Sequence, residues 1–452
     1  CHPVLYQRIM QAKESRGLYV VVIDPRFTAT CESADLHLPI LPGQDVALFN
    51  GLLQHLKQNG YSDRDFITEY TQGLATALES SQPEHSAEAV AERTGIALEK
   101  LTQFYEKFAD TEKVMTLFSM GVNQSSQGVD KANSIINCHL LTGKIGKLGA
   151  APFSMTGQPN AMGGREVGGL ANMLASHMDL DNPNHQQLVQ NFWQSPTIAK
   201  QVGLKAVDLF HAVEAGKIKA IWIMATNPVV SLPDADQVKR ALEKCEFVVV
   251  SDICLDTDTT QYADVLLPAL GWGEKDGTVT NSERRISRQK AFLEEPGEAK
   301  ADWWSIAQVA QKMAFTGFEF KNSYDIFLEH ARLSAYENAT LDEREHVENY
   351  RYFNLNGLTQ LGIEEYDTLK PTQWPVWDKN QSDTKVSRLF SDGKFSHADG
   401  KAKFIATLAK DPIHQISAEY PLILNTGRIR DQWHTMSRTG LSANLANHRA
   451  EP

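Results

Sequence analysis

The chain has 452 residues, 42% of them hydrophobic and 22% charged, with a formal net charge of -12. That length exceeds one ordinary core and predicts two to four domains. The charge argues against broad nucleic-acid binding, yet leaves room for a local positive pocket that takes an anion. No apolar run approaches the roughly 18–20 residues of a membrane helix. No signal peptide is visible, although a chain opening at Cys1 without Met is compatible with a leader cut away. The five cysteines, at 1, 31, 138, 245 and 254, include no Cys-x-x-Cys pair, so no zinc or iron–sulfur site is self-evident. They read as reduced cysteines of an intracellular, cytoplasmic protein.

Residues 18–24 form an apolar run ending in an acid, the pattern of a buried parallel strand whose carboxyl end is Asp24-Pro25-Arg26. Ligands of open α/β sheets gather at such ends, so Asp24 is either a ligand contact or a turn residue before Pro25. Residues 34–40 alternate like a short strand. After a turn at 41–45, Val46, Phe49, Leu52, Leu53 and Leu56 share one helix face. Asp45 caps that helix or lies where its N-terminus faces a phosphate-bearing ligand. Helices are expected at 63–79, 86–93 and 97–109, then a strand at 114–118 running into a loop at 119–124. The next helix turns Val129, Ala132, Ile135, Ile136 and Leu140 inward. Residues 143–149 fail the phosphate-loop test, because Lys144 precedes Ile145 and Lys147 precedes Leu148; they read as a helix end with glycine stops.

A second alternation of helix and strand follows: helix 206–215, strand 220–224 ending at Thr226-Asn227-Pro228, helix 236–245, strand 247–250 ending at Ser251-Asp252, and a short strand at 263–268. Residues 271–288, which include Lys275, read as a solvated loop. Trp303, Ile306, Val309 and Ala310 mark a helix with Asp302 near its start. Residues 316–418 are polar and irregular, with helical pieces near 322–336 and 340–349 and a hairpin within 394–408. Residues 420–426 read as a strand opening a new unit, followed by Gly427-Arg428 and Trp433-His434-Thr435.

Between the two alternations lies Thr-Gly-Gln-Pro-Asn-Ala-Met-Gly-Gly-Arg-Glu-Val-Gly-Gly at 156–169, which fits neither helical nor strand periodicity. Glycine at this density lets backbone approach a ligand, and also serves in plain connectors. Gln158 and Arg165 point to the first use. A guanidinium holds a small oxyanion by charge and planar fork, and an amide adds a neutral donor. The alternative for Arg165 is a salt bridge with Glu166 or a contact with a cofactor phosphate.

Taken in order, these loops resemble the molybdopterin-guanine-dinucleotide oxidoreductases of the dimethyl-sulfoxide-reductase superfamily. The 156–169 stretch is similar to that of the branch that reduces nitrate for assimilation. The resemblance runs from Cys1-His2-Pro3 to the Thr426-Gly427-Arg428 and Trp433-His434-Thr435 signature. It implies an α/β fold with two Rossmann-like doubly wound units, of the formate dehydrogenase/DMSO reductase type, and the start of a β-barrel-like C-terminal domain. The expected divisions are 1–151, 152–335 with the 156–169 loop, a connecting region 336–418, and 419–452.

The implied cofactor is molybdenum held by two molybdopterin guanine dinucleotides. One would be bound through Asp24, Pro25, Arg26, Phe27, Thr28, Gly43, Gln44, Asp45, Met120 and Gln124. The other would use Asn227, Ser251, Asp252, Lys275 and Asp302, with Thr426, Gly427, Arg428, Trp433, His434 and Thr435 at the pterins. The implied substrate is nitrate, steered by Arg165 and oriented by Gln158. The implied electron donor is an NADH-linked reductase, ferredoxin or flavodoxin, with no nucleic-acid or membrane partner.

The chain departs from that pattern in lacking the four-cysteine motif for a [4Fe-4S] cluster and the upstream segment with the molybdenum-ligating cysteine. The expectation is therefore a central portion of a larger enzyme, inactive alone, with no metal ligand of its own. The rivals are a formate dehydrogenase of the superfamily, whose loop typically reads Gly-Gln-Asn-Asn, and a metal-free structural subunit of the same fold.

Overall fold

The Asp45–Gln58 helix is buried on nearly every side from Val46 to Gln54, its polar Asn50 and Gln54 included, so the rest of the unit must enclose it. In the computed structural model, Val46, Leu48, Leu52, Leu53 and Leu56 on it are almost wholly buried. The structure describes residues 2–339, 350–379, 388–397, 399–424, 429 and 431–447. Two compact units emerge, one of residues 1–159 with 387–423 and one of 160–386 with 424–452, so the division falls inside the glycine-rich stretch.

In the first unit, the Gly128–Leu141, Ala87–Thr94 and Leu98–Asp110 helices enclose the Asp45–Gln58 helix. Its core joins Leu36, Leu38, Leu52, Leu101, Phe104, Tyr105 and Ile135. Parallel strand pairs flank it, Val21–Ile23 with Leu36–Leu38 and Met115–Phe118 with Ala151–Ser154. The expected helix over 63–79 is broken into Arg64–Tyr70 and Leu74–Ser80. Gly73 sits at φ +86, with Phe404 O 2.8 Å from where a Cβ would stand, because Thr71–Gln72 pairs in parallel with Ala402–Lys403. That pairing also replaces the hairpin expected at 394–408.

The second unit holds a parallel sheet with Phe247–Asp252 between Ala220–Met224 and Val265–Pro268. The Ala206–Glu214 and Ala235–Lys244 helices pack beside it around Val213, Val238, Leu242 and Val250. The stretch read as a solvated loop is instead a hairpin of Gly277–Thr280 and Arg285–Gln289, antiparallel, with Thr372–Gln373 added at its edge. Thr280 and Ile286 face inward, an alternation hidden among the surrounding charges. The piece expected near 322–336 is the Ser323–Ala335 helix; 340–349 lies outside the described residues. Residues 420–424 form no strand and leave Leu422 and Leu424 exposed.

In the first unit the buried His139 joins the Gly128–Leu141 helix to the strand beside it. Nδ1 lies 2.9 Å from Lys144 O, which only accepts, so Nδ1 carries the proton and Nε2 accepts from Thr116 Oγ1 at 2.8 Å. Burial above all holds this imidazole down, to about 4. Protonation would cost both the buried charge and the Thr116 donor. The stability this contributes is complete above the unfolded value near 6.5 and disappears as pH falls through 4. The first unit is therefore expected to lose roughly 3 kcal/mol by pH 4 from this group. Urea unfolding between pH 4 and 8 checks it: His139→Gln should flatten the acid limb relative to the wild type.

Candidate functional site

The glycine-rich stretch is not a loop throughout. Ala161–Glu166 is a short helix, and one residue of the hairpin fixes both its ends. Thr280 N donates to Asn160 Oδ1 at 2.9 Å, and Thr280 Oγ1 donates to Glu166 Oε2 at 2.8 Å. Beyond the helix, Gly168 at φ +74 lets the backbone pass Ala175 N and Leu174 C, 2.7 and 2.8 Å from where a Cβ would stand. Any side chain there is excluded by both strain and backbone. Ser176 N then donates to Glu166 O at 2.7 Å. The Gly-to-backbone approach expected of this stretch therefore serves, at this position, to fold the chain on itself.

Arg165 is exposed at the end of that helix, and no carboxylate among the described residues lies within ion-pair distance of it. The pairing with Glu166 weighed above does not form. Glu166 is 2% exposed and turns the other way, accepting from Trp374 Nε1 at 2.7 Å as well as from Thr280. Burial raises its carboxyl to about 7 against those two donors. His177 is held down to about 4 by burial and, next, by the Arg165 charge. Gln158 belongs to the first unit, where it is half-buried and makes no hydrogen bond to a described residue. Beside it in sequence, Thr156 O lies 2.8 Å from His2 Nε2.

In the first unit, Asp24 ends its strand and accepts Arg26 N on Oδ1 at 2.8 Å, so the turn role it was weighed for is real. Pro25, Arg26 and Phe27 are exposed, and Thr28 Oγ1 lies 3.6 Å from Cys31 Sγ. Gly43 lies at φ +85 against Pro412. Gln44 is buried and accepts from Arg93 Nε at 3.0 Å, while Asp45 pairs with buried Lys131 at 2.6 Å. Met120 and Gln124 are exposed on the strand-end turn, and Ser119 Oγ is buried without a partner among the described residues.

In the second unit the strand ends do converge. Asn227 follows one strand and is tied by Thr259 Oγ1 at 2.6 Å and to Ser437 Oγ at 2.8 Å. Ser251 accepts from Trp222 Nε1 at 2.9 Å. Asp252, at the end of the middle strand, accepts Cys254 N at 3.1 Å and Arg438 Nη2 at 3.3 Å. Pairing of Asp252 with Pro268, then of Ala269 with Lys300, leads to Asp302 at the start of the Asp302–Lys312 helix. Lys275 Nζ meets Asp302 Oδ2 at 3.2 Å, while Asp302 Oδ1 is buried with no partner among the described residues. A buried acceptor lacking its donor, next to an ammonium, fits a ligand that brings both hydroxyls and phosphate.

Trp433 and His434 stack edge to face at 4.6 Å, and Thr435 Oγ1 lies 2.9 Å from Ser437 Oγ. Thr426, Gly427 and Arg428 lie outside the described residues. Among the described residues, no three His, Cys, Asp or Glu side chains gather as a metal site. Reading the sequence missed Thr259, Ser437 and Arg438, and the Thr280, Trp374, His177 and His330 surround of Glu166. They come from distant segments, and only Ser437 and Arg438, two and three residues after Thr435, lay close to a recognised signal.

A family model described as "Molybdopterin oxidoreductase" matches residues 1–312. The chain is 50% identical over 452 residues to a nitrate reductase of Shewanella frigidimarina, covering 100% of this chain and 47% of that protein. It is 32% identical over 454 residues to the F420-dependent formate dehydrogenase subunit alpha of Methanocaldococcus jannaschii, covering 100% and 62%. Acetylene hydratase from Pelobacter acetylenicus shares the fold at TM-score 0.62 and 18% identity, over 90% of this chain and 55% of that one. The chain thus spans about half to three-fifths of the length of these curated relatives. With parallel strand ends converging on acidic and amide side chains, and the family match running over more than two-thirds of its length, this chain belongs to the molybdopterin oxidoreductases.

Proposed function

We propose that this chain is the cofactor- and substrate-holding part of an assimilatory nitrate reductase, which converts nitrate, two electrons and two protons to nitrite and water. The observation that carries the reading is Arg165: a guanidinium on a clamped helix, exposed and free of any described carboxylate. A planar trigonal anion matches the two parallel N–H donors of such a group. By the sequence resemblance alone, Gln158 would be a neutral donor to nitrate. The likeness to nitrate reductase at 50% identity, against 32% for the formate dehydrogenase, supports nitrate over formate.

The cofactor, a molybdenum bis(molybdopterin guanine dinucleotide), supplies the electron pair and the oxygen acceptor when bound. The chain's part is to hold it. Asp252 takes the guanine edge, because a carboxylate accepts the parallel N1–H and amino donors of that base. Lys275 meets pyrophosphate, and Asp302 Oδ1 accepts a hydroxyl; Asn227 and Ser251 line the same end. On the first unit, Asp24 to Thr28, Gly43 to Asp45, Met120 and Gln124 hold the second dinucleotide. Trp433, His434 and Thr435 would face the pterins, and the sequence resemblance alone gives Thr426, Gly427 and Arg428 the same role. A [4Fe-4S] cluster elsewhere in the complete enzyme receives electrons from an NADH-linked reductase, ferredoxin or flavodoxin in the cytoplasm.

In the complete enzyme assayed with reduced viologen, Arg165→Ala is expected to raise the KM for nitrate about 10–100-fold, the loss of a charge-assisted pair, with Arg165→Lys between. An unchanged KM overturns the assignment. Turnover of formate with none of nitrate transfers it to the formate dehydrogenases. The 452-residue chain purified alone is expected to reduce no nitrate, and measurable turnover refutes that.

A further inference from the structure

Beneath Arg165 lies a buried knot of side chains that the proposed chemistry has not yet used. Glu166 follows Arg165 on the same short helix and points inward. Its two carboxyl oxygens meet neutral donors, Trp374 Nε1 and Thr280 Oγ1. Trp374 packs edge-on against Phe353 at 5.2 Å, and Phe353 lies 5.3 Å from both His177 and His330. His177 also meets Trp374 at 5.6 Å, and its Nε2 is buried with no partner among the described residues.

The groups that face Glu166 are few. On its own helix Arg165 is next in sequence but exposed, on the outward side. From the Ser323–Ala335 helix, His330 Nε2 stands 3.9 Å from Oε2. From the 174–177 turn, His177 reaches the Trp374 ring rather than the carboxyl, and Arg284 stacks on that same ring, its guanidinium 5.1 Å from the ring centre. Burial holds both histidines down, to about 4, so neither is a cation near neutrality. No lysine or arginine of the described residues forms an ion pair with the carboxylate. A carboxylate this deep, given only neutral donors, is poorly compensated.

The hydrogen-bond geometry fixes where its proton resides. An indole N–H only donates, so Oε1 stays an acceptor in both forms. When the carboxyl is protonated, the proton sits on Oε2, and the Thr280 hydroxyl, which donates to that oxygen in the ionised form, turns to accept it.

We propose that Glu166 is the positioning residue of the anion site: in its protonated form it clamps the Arg165 helix to Thr280 and Trp374, so that anion binding at Arg165 is coupled to proton uptake by Glu166. This rests on the functional reading above. The coupling is electrostatic. An anion drawn to Arg165 arrives near the carboxyl of the next residue, and each disfavours the other's negative charge. A reaction that consumes protons and an anion together then begins with both gathered at one helix.

The test uses the complete enzyme between pH 6 and 8.5. The KM for nitrate should rise roughly three- to tenfold across that range in the wild type and stay level in Glu166→Gln, whose amide reproduces the protonated form's donor and acceptor. Trp374→Phe removes a donor to the charged form and should move the rise to higher pH, a change that a merely structural role would not produce. Independently of turnover, calorimetric titration of the oxidised enzyme with nitrate in buffers of different ionisation enthalpy should show fractional proton uptake at pH 7.5, absent in Glu166→Gln. Proton uptake equal in both proteins, or none in either, overturns the proposal. Where nitrate fails to bind but formate binds with the same Glu166-dependent uptake, the coupling stands and the nitrate reading falls.

Discussion

Thr280 holds a short helix by both ends. Six residues, two of them glycine, have almost no helical stability of their own, since nucleation alone is unfavourable and glycine adds to the cost. The Ala161–Glu166 helix exists because the backbone N–H of Thr280 engages Asn160 before it and the hydroxyl engages Glu166 at its end. Both bonds come from a strand more than a hundred residues away. The direction in which Arg165 leaves the chain is thus set by the Gly277–Thr280 and Arg285–Gln289 hairpin.

The strand-and-helix plan was legible because its signals are local. Continuous apolar runs, as the Phe-Val-Val-Val at 247–250, mark the strands of a parallel sheet, and the Asp45–Gln58 helix carries its apolar stripe openly. Asn227, Ser251 and Asp252 were found the same way, as the polar residues that end such runs. What escaped was non-local. Gly73 reads as one weak spot in a helix until Ala402–Lys403 comes to pair beside it. The hairpin at 277–289 alternates correctly, but Glu, Lys, Asp and Arg around it carry the look of a surface loop.

The site was legible in its charges and illegible in their pairing. Arg165 and Glu166 are adjacent in sequence, which suggests a mutual salt bridge. Helical geometry sends neighbours about 100° apart, so one faces outward and the other the interior. The burial of Glu166 depends on Trp374, and nothing near position 166 announces it. Asp45 and Asp252 look equivalent as acids at strand or helix ends. They differ because Lys131 neutralises the first within the first unit's core at 2.6 Å, whereas the second accepts Cys254 N and a longer contact from Arg438 at 3.3 Å.

That last contact changes how ligand affinity has to arise. A carboxylate already touched by a guanidinium is not waiting in water. A base of the kind proposed for Asp252 would have to share Oδ1 with the chain's own cation, and where it displaced that cation the exchange would return only the difference between two N–H donors. Tight binding at this end of the sheet would then draw on groups with nothing to give up, and Asp302 Oδ1, which has no partner among the described residues, is the clearest of them.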